Sequence, residues 1–107
     1  MNGQRIKFVL SSQALESFEN SLRKIVLMYE QDEHPDDLDK LIIVLLNELH
    51  LTIRKKAIDN QVKTTINLTQ AQGLAFYAAY KQISADTFTT YENIKVMELA
   101  TLVDRTF

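Results

Sequence analysis

The chain has 107 residues with no cysteine, no tryptophan, one proline and two glycines. Without thiols it has no disulfide framework, no thiol nucleophile and no thiolate metal site, and small secreted domains more often carry such staples, so an intracellular home is expected. Two glycines cannot build a phosphate-cradling glycine-rich loop, and neither a G-x-S-x-G nor an H-E-x-x-H motif occurs. An excess of one charge is missing too: 12 Lys and Arg stand against 14 Asp and Glu, net −2. That balance provides no broad attraction for phosphate backbones, so a nucleic-acid role would need a local basic patch. The longest uninterrupted aliphatic run, Leu41 to Leu46, is six residues, against the roughly 20 that cross a bilayer. Lys7 interrupts the short apolar stretch near the start, so no signal-peptide core is read there. A soluble protein is expected.

What is present is globular composition, 46% hydrophobic with 24% charged, which makes disorder improbable and, with so few Gly and Pro, points to long helices. At this length a single domain, residues 1–107, buries most of its apolar surface in one core.

The chain also repeats a pattern. With Arg5 to Ile25 laid over Lys63 to Ile83, Phe8 meets Ile66, Leu10 meets Leu68, Ser11 meets Thr69, Phe18 meets Phe76, Leu22 meets Tyr80 and Ile25 meets Ile83. Each half continues into a second helical pattern, Leu41 to Leu49 and Ile94 to Leu102. This predicts a duplicated strand-helix-helix unit with pseudo-repeats at about 5–58 and 63–107. The order is β-α-α-β-α-α, a helix-dominated α+β fold with a two-stranded sheet and four packed helices. A pseudo-twofold relation between the copies would make the strands antiparallel.

Residues 5 to 10, RIKFVL, and 63 to 68, KTTINL, alternate with the period of half-buried strands. Each runs into a capping hydroxyl, Ser11 or Ser12 in one half and Thr69 in the other, the latter with Gln72 at capping-box spacing. A helix over about 12–30 carries one apolar stripe, Leu15, Phe18, Leu22, Ile25 and Tyr29; Leu27 and Glu19 fall outside it, on positions expected to be wet. The longest helix is expected to open at Pro35 and run to about Asp59, before a junction at Asp59 and Asn60. Its core face is predicted as Leu38, Leu41, Ile42, Leu45, Leu49 and Ile53, so that either a second layer of the protein covers Ile43 and Val44 or they mark a partner surface. A third helix is expected over about 70–83 and a fourth over about 90–106, the latter capped by Thr89 with Glu92.

Several patterns suggest chemistry. The run EQDEHPDDLD, 30 to 39, is acidic but lacks the alternating ligand spacing and the glycine of a calcium loop, so it reads as a solvated helix start. His34 and His50 lie sixteen residues apart with no ligand-spaced neighbour. Arg54, Lys55 and Lys56, reinforced by Lys63, form the one candidate basic patch; at a helix C-terminus cations are also stabilised by the helix dipole. Tyr77 stands where the first half has Glu19, an aromatic at a position expected to face solvent and therefore a candidate interface anchor.

No catalytic, cofactor or metal residue emerges. The reading is a non-enzymatic interaction or regulatory module, cytoplasmic and of bacterial type by its small size. It would act as a homodimer or through a protein partner, with Leu27, Ile43, Val44 and Tyr77 as the candidate surface. The alternatives are a nucleic-acid-associated regulator using Arg54, Lys55, Lys56 and Lys63, and a small-molecule binding protein. No cofactor and no membrane association are expected.

Overall fold

The computed structural model describes residues 5–59 and 62–107; Asn60, named above at the junction, lies outside the described residues. Alternation of apolar and polar side chains shapes the two strands. β1 (Ile6–Ser11) buries Ile6, Phe8 and Leu10 and turns Lys7 and Val9 outward, while β2 (Lys63–Leu68) buries Thr64, Ile66 and Leu68. They pair antiparallel, with Ile6 opposite Leu68, Phe8 opposite Ile66 and Leu10 opposite Thr64. A two-stranded sheet is only marginally stable by itself, so its apolar face has to be covered by helices.

Four α-helices supply that cover: α1 (Ser12–Glu30), α2 (Asp37–Ile58), α3 (Gln70–Lys81) and α4 (Thr90–Thr106), with a short 3-10 turn at Ala85–Thr87. Their starts are fixed by side chains that satisfy otherwise orphaned amides. Ser11 accepts from the Ala14 amide, and reciprocal capping boxes join Thr69 with Gln72 and Thr89 with Glu92. A third box joins Asp36 with Asp39, so α2 begins one residue past an aspartate cap and Pro35 precedes the helix instead of opening it. α3 ends at Lys81, short of the expected 83, because the Gln82 amide closes the last turn onto Ala79 and Tyr80.

α1 packs against α2 and α4, and α3 packs against the same two, so α1 and α3 face each other across the core. Phe18 of α1 reaches Phe76 of α3 with ring centroids 5.8 Å apart, and Phe8 of the sheet meets Phe18 edge-on at 5.5 Å. Leu15, Phe18, Leu22, Ile25 and Tyr29 are all buried, as their spacing predicts; of the residues matched to them in the second half, Phe76 is buried while Tyr80 and Ile83 are half-buried. Gly73 admits the end of α4: a Cβ there would come within 3.3 Å of the Phe107 ring.

The expected core face of α2 needs correction. Ile42, Leu46, Leu49 and Ile53 are buried, whereas Leu38 and Leu41 are 60% and 55% exposed and Leu45 is half-buried. The stripe at 42, 46, 49 and 53 stays apolar along its whole length; the one through Leu38 and Leu41 runs into Glu48 and Thr52. Ile43 packs against the core, so only Val44 of the pair is free of it, at 55% exposure. In α4 the buried positions are Glu92, Val96, Leu99, Ala100 and Val103, and all but Ala100 repeat the 4-3-4 spacing of 42, 46, 49 and 53. No helix among the described residues is long and apolar enough to cross a membrane.

Candidate functional site

Two polar clusters lie between helices. Glu19, expected at the surface, is buried between α1 and α2: its Oε1 accepts from Arg23 Nη2 at 2.7 Å, and its Oε2 lies 2.7 Å from Nε2 of His50. Glu92 plays the matching part between α4 and α1. Its Oε1 accepts from Lys24 Nζ at 2.6 Å and from the Thr89 amide at 2.9 Å, while Lys24 also donates to the Thr87 carbonyl at 3.2 Å. Burial acts to raise the pKa of both carboxyls, but these hydrogen bonds and cations outweigh it and hold both below the ordinary value. Both oxygens of Glu19 are engaged, one by Arg23 on its own helix and one by His50, so this carboxylate ties α1 to α2.

A stability consequence follows from the sign of these shifts. A carboxyl with a lowered folded pKa contributes stability above its unfolded pKa, and that contribution is lost as the pH falls through the folded value. Chemical denaturation should therefore show stability dropping as the pH descends below 4.5, the ordinary carboxyl value, and on through the lower folded values. The double variant Glu19→Gln with Glu92→Gln should lose stability at neutral pH and flatten that acid slope. An unchanged slope would mean that other groups set it.

The acidic run is occupied locally. Asp36 and Asp39 cap α2, and Asp32 Oδ1 accepts from the His34 amide at 3.0 Å. Among the described residues no group of three His, Asp or Glu side chains stands where it could hold a metal ion. Beside this segment a depression of about 230 Å³ is lined by Tyr29, Asp32, Asp39 and Gln82. The Tyr29 hydroxyl is buried with no hydrogen-bond partner among the described residues, and burial together with Asp39 and Asp36 raises its pKa.

A second depression is apolar. Leu38, Leu41 and Leu45 of α2 and Ala71, Leu74 and Ala78 of α3 line an open groove of about 350 Å³ with almost no polar surface. Small residues on α3 create it, because alanines cannot fill the space between the two helices. Leu41 and Leu74 stand on its rim at 55% and 44% exposure, and Leu41 leads on to Val44 and Leu51 along α2. Leu41, Leu51 and Leu74 were missed as surface residues in the sequence. The available signal was Glu48, which marks the outer side of α2.

The predicted surface residues do not converge. Val44 adjoins the groove through Leu41, Ile43 turns to the core and Leu27 is exposed on α1. Tyr77 is half-buried, with Lys81 Nζ 4.7 Å from its ring centroid, and lines a separate depression between α3 and α4 with Tyr80, Met97 and Asp104. Of the basic residues, Arg54 and Lys55 are exposed and Lys56 half-buried toward the end of α2, and Lys63 is exposed at the start of β2. Among the described residues none of the four forms an ion pair. Compared with models of known protein families, with curated proteins and with solved structures, the chain matches none.

Proposed function

We propose that the protein is a non-enzymatic interaction module of the cytoplasm that binds another protein surface, a second copy of itself in the first instance, through the apolar face of α2 and α3. The observation that carries this reading is the unfilled α2–α3 groove and the run of large apolar side chains beside it. Leu38, Leu41, Val44 and Leu51 are each more than half exposed on one helix. Contiguous apolar surface of this kind is uncommon on a monomer and marks interaction sites.

We also read the two strand-helix-helix units as copies of one another. Phe8 lies opposite Ile66, its own counterpart 58 residues further on, which is the register a local twofold axis would require. On that reading the position matching the α2–α3 groove is the contact of α4 with α1, where the equivalent residues include Glu16, Asn20, Glu92 and Lys95. One side is polar and the other apolar, so the fold itself does not demand an apolar groove.

The test is solution mass. Light scattering at tens of micromolar should give a dimer, and Leu41→Glu with Val44→Lys should return it to monomer without lowering the melting temperature measured in dilute solution. A wild type that remains monomeric at several hundred micromolar would rule out self-association.

A free strand edge is the other route to self-association, but Lys7 and Lys63 stand at outward strand positions with Arg5 just before β1, and such charges oppose edge-to-edge pairing. The same cations favour a second reading. With no acidic residue in either strand, the outer sheet face and the basic end of α2 can accept a phosphate backbone. Binding to duplex or single-stranded DNA that weakens steeply with salt would support it.

A further inference from the structure

The outer side of α2 carries a second periodic pattern that the fold does not use. Asp37, Leu41, Val44, Glu48, Leu51 and Lys55 follow one another at alternating steps of four and three residues, and every one of them is exposed. This is the heptad spacing of a coiled-coil seam. It extends about 27 Å along the helix at 1.5 Å per residue. Its ends are polarised, with an acid at the amino end and a lysine at the carboxyl end, and two leucines, a valine and Glu48 between. The helix as a whole shares that polarity, Asp36, Asp37 and Asp39 at its start and Arg54, Lys55 and Lys56 near its finish.

We propose that the occupant of this face is α2 of a second copy, laid antiparallel across a twofold axis in the register that sets Asp37 against Lys55 of the partner subunit. The proposal rests on the reading of the α2 face as an interaction surface and adds to it the partner element, direction and register. Charge decides the direction. A parallel pair would place Asp37 against Asp37 and Lys55 against Lys55, like charges at both ends. The antiparallel pair converts each into an opposite-charge contact, and the twofold makes every contact occur twice.

Charge decides the register as well. Antiparallel layers that match Asp37 with Lys55 also match Leu41 with Leu51 and Val44 with Glu48. A slip of one heptad sets Leu41 against Ile58 but leaves Val44 against Lys55 and no acid against a base, so the ion pairs select the first arrangement. Glu48 is the one polar residue in the middle of the seam. Its Oε1 is 3.5 Å from Nε2 of Gln72 on α3, which draws it to the side and leaves its methylenes to meet Val44.

The outer face of α4 makes a useful contrast. Its residues at the corresponding steps are Tyr91, Ile94, Glu98, Thr101 and Arg105, with one exposed aliphatic and no leucine, so this face of α4 would not self-pair. A single helix pair is a small interface, so an affinity in the micromolar range is expected.

Charge exchange tests the register. Asp37→Lys and Lys55→Asp should each weaken self-association at least about tenfold, because each homodimer then holds two like-charge contacts. An equimolar mixture of the two variants should recover the dimer, since both cross-pairs are again opposite in sign. Thermal melts in dilute solution control for folding. If Leu41→Glu dissolves the wild-type dimer while the exchanged charges change nothing, the α2 face remains the interaction surface and the antiparallel register is wrong. If the wild type stays monomeric at several hundred micromolar, both the register and the self-association it rests on are overturned.

Discussion

Replacing Phe18 with alanine should destabilise the protein by about 3 to 5 kcal/mol, the range of large-to-small changes at packed aromatic sites. Phe18 has no exposed surface and stands where three parts of the fold meet: Phe8 on the sheet packs edge-on with its ring, and Phe76 on α3 meets it at a tilt. The ring joins α1 to α3 across the core, so neighbours cannot close the cavity without moving a helix. Against a domain stability of roughly 5 to 15 kcal/mol, such a loss removes a large share. Chemical denaturation is the check, and a loss below about 1 kcal/mol would mean that this aromatic junction does not organise the core.

The second large effect separates the two faces of α2. Leu46→Ala should cost about 2 to 5 kcal/mol, because Leu46 is fully buried with Ile42, Leu49 and Ile53. Leu41→Ala, five residues earlier, should cost less than about 1 kcal/mol, since a side chain that is 55% exposed gives up little burial and alanine is the better helix former. Both are read in dilute solution, where association does not contribute. Equal costs would place the core on the side first inferred from Leu38 and Leu41.

That contrast also shows where the residues speak for themselves. The α1 stripe is legible because polar positions interrupt every other face of that helix, and the strands are legible because alternation ends at a capping hydroxyl in both halves. The six-residue apolar run of α2 has no such interruption, so its hydrophobicity fixes burial without fixing phase. Phase comes from the neighbours: α1 on one flank and α3 on the other leave Ile42, Leu46, Leu49 and Ile53 inward. Glu19 was misread for a related reason. A carboxylate reads as solvated unless its partners are known, and His50 lies 31 residues away on another helix. The groove is the least legible feature. It arises from a difference in size, alanines on α3 facing leucines on α2, and a helix rich in alanine reads equally as a tight contact.

If α2 serves the core with one face and a second molecule with the other, methyl NMR over a dilution series will show it most directly. Signals of Leu41, Val44 and Leu51 should shift as the concentration rises from a few micromolar to several hundred, while those of Leu22, Leu46 and Val96, fully buried on three helices, stay fixed. A series in which no methyl moves, or in which movement is confined to Val9 on the sheet or Ile94 on α4, would contradict it.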